Sequence, residues 1–293
     1  MSLIFETRYR SGFTLLACPI WIDHTKKTMK SCSVNFRRND GLAFTLIELL
    51  TVIAIIGILA SMLLAVLPGV TNAGKKTKAK LEAQAIATAI EQYDSAYGRF
   101  PVSQQAQTAA LANVSPGNPN GSDFTYGGVF KGGSVFTPGY QATNAEVIAI
   151  LMDLTNYPSG GSTINTNHQK NPQKTIFLNA KMSGYDPSQP GTPQPGVGND
   201  LVYRDPWGNP YVISMDLNYD DQCEDAFYSL QDVSQQNGQA GYNGLVNSTD
   251  VNGAGNHFRY HGKVMVWSAG QDGKIDPNDP VTDRENKNNV VSW

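Results

Sequence analysis

An apolar run near the N-terminus, residues 49–67, limits what this chain can fold into more than any other feature. It holds 19 residues without a charged side chain. As an α-helix it would span roughly 28 Å at about 1.5 Å per residue, close to the ~30 Å hydrocarbon core of a bilayer. A cleaved secretory signal is the alternative, but such signals have shorter apolar regions, and this sequence continues with helical character. The run therefore predicts a retained membrane anchor.

A carboxylate stands directly before this run, at Glu48. A charged side chain at the middle of a membrane costs about 2.5–3.5 kcal/mol on insertion scales, and less near the edge. The side chain avoids that cost if it reaches the headgroups or if it is paired with a positive group. For an isolated Glu, we expect the side chain to reach the headgroups. A more specific role for Glu48 needs support from the surrounding motif.

Charge is distributed unevenly along the chain. Residues 1–99 contain 12 Lys or Arg and 7 Asp or Glu, whereas residues 100–293 contain 10 and 18. Nucleic-acid binding needs a concentrated basic face on the folded domain, so an acidic C-terminal part argues against it. Acidic loops leave cation binding open. There is no GxSxG, HExxH, phosphate-loop or paired Cys/His motif, so we do not expect an enzyme.

After Gly74 the pattern becomes that of an amphipathic helix. Apolar side chains recur four residues apart, with Ile86 and Ile90 beside them: Leu81, Ala85, Ala89, Tyr93 and Tyr97. Gly98 follows as a helix-ending residue. The sequence therefore predicts one long helix from Phe44 to about Tyr97, loosened at Pro68-Gly69, with its first half in lipid and its second half packed on a globular head.

The remaining sequence predicts a loop-rich region followed by a sheet. Residues 100–200 are rich in turns, with a helix over 144–154 capped by Asn144 and an extended segment or short strand at 174–178. Residues 201–216 predict a strand, a turn and a second strand with Tyr211, Ile213 and Met215 on one face, and residues 261–273 add another strand. The predicted class is α+β, with the long helix on a small antiparallel sheet.

The segment Phe44–Leu50, FTLIELL, resembles the N-terminus of type IV prepilins and type II secretion pseudopilins. In that family an inner-membrane aspartic peptidase cuts before the Phe and methylates the new amine. The resemblance implies cleavage between Ala43 and Phe44, N-methylation of Phe44, and Glu48 as the fifth mature residue. The family usually has Gly where this chain has Ala43. Cleavage after Gly41 would make Glu48 the seventh residue, so we favour the Ala43 site.

This resemblance gives Glu48 an assembly role. Cleavage would create a positive amine at Phe44, four residues away on the same helix. Glu48 could pair with that amine or with the amine of a neighbouring subunit, and the second pairing would favour adding subunits in one axial register. A carboxylate that merely reaches the headgroups is the alternative.

The segment before Ala43, the expected leader, also contains a sequence that partly matches this motif. Residues 12–21 begin like the same motif but have Ala17 in place of the Glu, and Pro19 follows. A basic leader of the family's usual length would start at Met29, so we expect residues 1–28 to be untranslated or dispensable. The resulting division is 1–43 leader, 44–70 transmembrane helix, 71–99 stem, 100–200 loop-rich variable region and 201–293 C-terminal sheet and loop.

Three C-terminal segments resemble, in the same order, the major (G-type) pseudopilin of type II secretion. They are a DPWGNPY turn at Asp205–Tyr211, a SAGQDG loop at Ser268–Gly273 and a closing NVVSW segment at Asn289–Trp293. Together with residues 41–101 they cover roughly half of the chain. Residues 102–200 are expected to be an insertion that is atypical of the family.

The resemblance also implies a structural calcium ion in the C-terminal loop. Calcium takes six to eight oxygen ligands and tolerates irregular geometry. Asp272 matches the family loop residue, Asp276 and Asp279 are further ligand candidates, and Asn289 stands where the family often has Asp. A solvated polar loop is the alternative. Residues 216–227 begin like an EF-hand loop but lack its Gly and its last Glu.

We therefore expect a structural pseudopilin of the type II secretion system, anchored once in the bacterial inner membrane with its head in the periplasm. Its expected partners are further copies of itself in a pseudopilus, the prepilin peptidase, other pseudopilins and the inner-membrane secretion platform, and not nucleic acid. The pseudopilus would promote export of folded proteins. A type IV pilin or minor pilin for adhesion, motility or DNA uptake is one alternative, and a membrane-anchored enzyme with its site in residues 102–200 is another.

Overall fold

The computed structural model describes residues 44–112, 123–247 and 257–293, with backbone alone at 65–68. The expected leader, including Met29 and Ala43, lies outside the described residues. The chain divides into two compact units, Met1–Ile58 and Leu59–Trp293. Of the first unit, residues 44–58 are described.

Helix α1 runs without interruption from Leu46 to Tyr97. Pro68-Gly69 lie inside it, so the predicted loosening there is not observed. The helix ends at Gly98, whose φ of +63° is the left-handed conformation that favours glycine. The predicted long helix is therefore confirmed, including its C-terminal boundary.

The buried face of α1 differs at its start from the predicted one. Leu81 and Ala85 are exposed, and the buried side chains are spaced by three or four residues: Ala79, Ala83, Ile86, Ala89, Ile90 and Tyr93. A stripe at strict spacings of four rotates by about 40° per step because an α-helix has 3.6 residues per turn. The predicted stripe was wrong at Leu81 and Ala85 for this reason.

The described residues also contain three shorter α-helices and thirteen short strands. The helices are α2 (Gln104–Ala112), α3 (Ala145–Leu151) and α4 (Gln231–Ser234). The strands are β1 (Phe124–Tyr126), β2 (Gly128–Phe130), β3 (Gly133–Val135), β4 (Gly196–Val197), β5 (Tyr203–Arg204), β6 (Val212–Met215), β7 (Gln222–Cys223), β8 (Gln235–Asn237), β9 (Ala240–Gly241), β10 (Val246–Asn247), β11 (Phe258–His261), β12 (Val264–Ser268) and β13 (Val290–Val291).

The central sheet has the order β1-β6-β12-β13, and every pair is antiparallel. Alternate residues of β6 and β12 point to opposite faces, as the period of two in a strand requires. Tyr211, Ile213 and Met215 join the same buried cluster as the α1 side chains, as predicted. The Tyr211 hydroxyl also donates to Glu82 on α1, at 2.8 Å. The predicted α+β arrangement of a long helix on a small antiparallel sheet is thus confirmed.

The other face of the central sheet is covered by a second core that the sequence did not predict. Val212, Met265 and Trp267 pack there with aromatic side chains such as Phe227 and Phe258. These aromatics belong to the stretch between β6 and β12, which forms a five-stranded sheet in the order β7-β11-β10-β9-β8. Its strands are two to four residues long, too short to show an alternating pattern.

Residues 100–200 contribute to the fold more than a surface insertion would. Strand β1 is an edge of the central sheet, and α3 is buried on all sides, as expected for a core helix. Asn144 makes no cap hydrogen bond. Its side-chain amide instead donates to the carbonyls of Tyr203 and Tyr211. Asn144 therefore holds the predicted N-cap position but without a capping hydrogen bond, and 174–178 forms no strand.

Asp225 is a fully buried carboxylate beneath the second core. It accepts hydrogen bonds from the Ser214 hydroxyl, the Trp267 indole at 3.0 Å, and the backbone N–H groups of Phe227 and Tyr228 at 2.9 Å. Burial raises the pKa of Asp225 despite these donors. Burial also raises the pKa of Asp123, Asp205 and Asp216.

We expect mild acidification to stabilise the folded head. A carboxyl group with a raised folded pKa binds its proton more tightly when folded, so the free energy of unfolding rises as the pH falls through that pKa towards the ordinary value of 3.8. Each kcal/mol gained should raise Tm by about 2–4 °C. The pKa of Glu224 shifts in the other direction. Burial would raise it, but hydrogen bonds and charge interactions with His257 and Arg259 lower it.

The measurement is Tm of the full chain in detergent as the pH is lowered from about 7.5 to about 4, just above the ordinary aspartate pKa. Asp225→Asn should reduce the slope, whereas Asp283→Asn, at an exposed position, should leave it unchanged. A Tm that falls steadily over this range in the unaltered protein would contradict the expectation.

Candidate functional site

The N-terminal part of α1 presents a continuous apolar surface. Every large apolar side chain described between Phe44 and Leu64 is exposed, from 48% at Val52 to 87% at Leu46. Soluble monomers rarely expose apolar patches of this extent. Among the described residues, α1 is the one helix whose length and composition would allow it to cross a membrane. This segment needs a lipid or protein environment to cover it.

Glu48 lies in the first turn of this helix and closes a capping box with Thr45. Its Oε2 accepts hydrogen bonds from the backbone N–H and the hydroxyl of Thr45, both at 2.8 Å. The N–H of Glu48 donates in return to the Thr45 hydroxyl at 3.3 Å. The Thr-x-x-Glu spacing is a known signal for this arrangement. This spacing was readable from the sequence, although the partners expected there for Glu48 were a Phe44 amine, of its own or a neighbouring subunit, or the headgroups.

In the head, the DPWGNPY turn is organised around Asp205, which is fully buried. Its Oδ1 accepts the N–H groups of Trp207 at 2.8 Å and Asn209 at 2.9 Å. Its Oδ2 accepts a short hydrogen bond from the hydroxyl of Ser268, the first residue of the SAGQDG loop. Burial raises the pKa of Asp205, and the hydrogen bonds partly oppose this. One carboxylate thus shapes the turn and connects it to the loop.

The three C-terminal motifs identified from the sequence are brought together. The Asn209 amide donates to the carbonyl of Gly270 at 2.7 Å, joining the turn to the loop. Strand β13 of the closing segment pairs with β12, placing Val291 opposite Trp267. Trp293 packs edge-on against Tyr228, with ring centroids 5.2 Å apart. The order of motifs in the sequence therefore corresponds to one contiguous region of the head.

The four residues named for calcium are each engaged with a different neighbour. Asp272 accepts from the Asn288 amide at 2.7 Å, and Asp276 from the N–H of Asn278 at 2.9 Å. Asp279 lies 3.8 Å from the Arg284 guanidinium, and the Asn289 amide donates to the Tyr228 hydroxyl at 3.2 Å. The described part of the chain contains no group of three or more Asp, Glu, His or Cys side chains placed to hold a metal. In this arrangement the four residues do not form a calcium site. Calcium binding remains a prediction from the resemblance.

The EF-hand-like stretch is internally neutralised. Asp216 accepts the N–H groups of Asp220 and Asp221, which folds the loop upon itself. The guanidinium of Arg259, on β11, is 2.8 Å from Glu224 and 3.7 Å from Asp220. An arginine therefore pairs with two of the acidic side chains of this stretch, which also lacks the Gly and Glu of a calcium-binding loop.

Comparison with known proteins identifies relatives over part of the chain. No protein-family model and no solved structure matches it. The chain is 33% identical over 95 residues to type II secretion system core protein G of Pseudomonas aeruginosa, covering 32% of this chain and 66% of that protein. It is 34% identical over 95 residues to type II secretion system core protein G of Aeromonas hydrophila, covering 64% of that protein. The matched segment is just under two thirds of the length of either relative. These two similarities, with the long apolar helix on a small antiparallel sheet, support a place for this chain in the pseudopilin family.

Proposed function

We propose that this protein is a structural pseudopilin of a type II secretion system, which polymerises into a periplasmic pseudopilus that promotes export of folded proteins. The observation that carries the proposal is the similarity to two type II secretion core G proteins. The exposed apolar helix supports it, because a filament subunit needs a surface that moves from lipid into contact with other subunits.

The proposed maturation begins with insertion of residues 44–70 into the inner membrane, with the head in the periplasm. The prepilin peptidase would cut between Ala43 and Phe44 and methylate the amine of Phe44. Phe44 immediately precedes Thr45, whose N–H already donates to Glu48. The new positive charge would therefore form within one turn of the carboxylate.

The proposed role of Glu48 follows from this geometry. In its own subunit the carboxylate is already satisfied by the capping box with Thr45. It can accept a further charged donor, because a carboxylate offers about four lone-pair sites. A Phe44 amine from a neighbouring subunit would be such a donor, and pairing in a low-dielectric environment would favour one axial register over others. Other pseudopilins and the inner-membrane platform are proposed to contact the same helix.

A type IV pilin or minor pilin is the second candidate. It would share the N-terminal segment, whereas the joined Asp205 turn and Ser268 loop, together with the two G-protein relatives, favour secretion. A membrane-anchored enzyme with its site in residues 102–200 is less well supported, because α3 and β1 of that region are used in the core and the central sheet.

Deletion of the gene in its native host distinguishes these candidates. We expect proteins normally found in the medium to accumulate folded in the periplasm, because the filament that would move them outward is missing. Secretion should return on complementation with the full chain. The measurement is quantitative proteomics of medium and periplasm. Unchanged secretion with loss of surface filaments, motility or DNA uptake would contradict the secretion role and favour the pilin.

A further inference from the structure

Asparagine side chains surround the C-terminal loop, residues 268–289, and donate to its oxygen atoms. Asn286 is the central one and is 1% exposed. Its Nδ2 donates to the carbonyls of Asp276 and Asp279, both at 2.7 Å, and its Oδ1 accepts the N–H of Asp276 at 2.9 Å. The nitrogen and the oxygen of this amide are thereby both used. The Asp276 carbonyl has one other donor, the N–H of Asp279 at 3.4 Å.

Two further asparagines repeat the arrangement. Asn288 donates from Nδ2 to Oδ2 of Asp272, and Asn209 donates from Nδ2 to the carbonyl of Gly270, both at 2.7 Å. Four loop oxygens, three carbonyls and one carboxylate, therefore each receive an amide proton. We call Asn209, Asn286 and Asn288 the asparagine clamp.

The clamp stands where a cation would have to bind. Calcium lies 2.3–2.6 Å from its oxygen ligands and needs six to eight of them. The Asn286 nitrogen is 2.7 Å from two carbonyl oxygens that converge on it, so a cation could reach them only by displacing it. Asn289 Oδ1 and Asp279 Oδ2 are buried without a hydrogen-bond partner, and Asp279 Oδ2 lies 3.8 Å from the Arg284 guanidinium. Two such oxygens are far short of the six to eight that calcium takes.

We propose that the asparagine clamp replaces a divalent cation in holding the C-terminal loop, so that the folded loop is independent of calcium. A side-chain amide supplies donors to the same oxygens without a bound ion, and it is already part of the folded chain. The inference does not depend on the proposed function, because it rests on contacts within the head alone.

Hydrogen–deuterium exchange of the full chain in detergent tests this proposal. In the unaltered protein, the peptide covering residues 268–289 should exchange at the same rate in excess calcium chloride and in EGTA. Slower exchange of this peptide in calcium would overturn the proposal. This comparison needs no variant, so it stands even if a substitution prevents folding.

Asn286→Asp tests the clamp directly, since a carboxylate cannot donate to the two carbonyls. We expect the peptide to exchange about tenfold faster or more in EGTA, because the carbonyls of Asp276 and Asp279 each lose the Asn286 donor. Calcium chloride should restore part of the protection, since the variant offers a carboxylate beside two convergent carbonyls.

Asn278→Asp is the matched control. It makes the same chemical change at an exposed position of the same loop, where Asn278 bonds only to the neighbouring Asp276 in the described contacts. Exchange should stay within about twofold of the unaltered rate, as for an exposed hydrogen bond. If Asn286→Asp behaves like Asn278→Asp, or gains no protection from calcium, the clamp does not occupy a cation's position and the proposal fails.

Discussion

Replacing Glu48 by alanine is expected to reduce incorporation of the protein into filaments by about tenfold or more while leaving it in the membrane. In the proposed function, membrane insertion depends on the apolar run that follows, whereas assembly in register depends on pairing the carboxylate with an amine. Loss of a charge pair in a low-dielectric environment corresponds to at least about 1.4 kcal/mol, a factor of ten in the assembly equilibrium. The measurement is the fraction of protein in sheared or cross-linked filaments relative to the membrane fraction.

Glu48→Gln separates the two contributions of this side chain. Glutamine can maintain the capping box with Thr45, because Gln is accepted at the same position as Glu, but it carries no charge. We expect Gln to fail in assembly as alanine does. Glu91→Ala, an exposed glutamate further along α1, is the matched control and should assemble normally. Normal assembly of the Gln variant would show that capping, and not charge pairing, is what the filament needs.

Replacing Asp205 by alanine is expected to destabilise the head by about 3–5 kcal/mol. The change leaves the N–H groups of Trp207 and Asn209 and the hydroxyl of Ser268 without their acceptor inside the protein, and each buried unsatisfied group costs about 1–3 kcal/mol. The total falls below a simple sum because the turn can relax and admit water. Tm should fall by about 6–20 °C at about 2–4 °C per kcal/mol, measured on the full chain in detergent.

Asp205→Asn is the informative companion variant. It retains one acceptor for the two backbone N–H groups, and the Ser268 hydroxyl can turn to accept from the new amide, so the loss should be smaller than for alanine. Asp283→Ala, at an exposed position, should change the free energy of unfolding by no more than about 0.5 kcal/mol. A loss below about 1 kcal/mol in Asp205→Ala would show that the turn does not depend on this carboxylate.

Local patterns in the sequence were sufficient for the long helix and for part of the sheet. The apolar run and the glycine after Tyr97 gave the extent of α1, and the alternation of Tyr211, Ile213 and Met215 gave the buried face of β6. The order of the three C-terminal motifs anticipated a region in which they meet. These features succeed because each depends on the period of a single element or on one short turn.

Other features could not be predicted because they depend on residues far apart in the chain. Asn144 has the residue type of a helix cap, yet its amide bridges Tyr203 and Tyr211, about sixty residues away, as its separations of 59 and 67 residues show. The five-stranded sheet consists of strands of two to four residues. Such strands are defined by their hydrogen-bonded pairing, because they are too short to show an alternating sequence pattern. The Asp123 carboxylate accepts a hydrogen bond from the backbone N–H of Glu224, 101 residues away in the sequence.

The sequence by itself determined that the chain has a membrane-length apolar helix with a carboxylate in its first turn, because those properties follow from composition and from a spacing of three or four residues. The tertiary structure alone decided what the polar side chains of the head do. Asp272 and Asn286 read equally well as ligands, solvated residues or hydrogen-bond partners, since a side chain's role is set by which atoms the fold brings within about 3 Å of it. The fold brought asparagine amides to the loop oxygens, and the buried Asp205 to the turn and the loop at once.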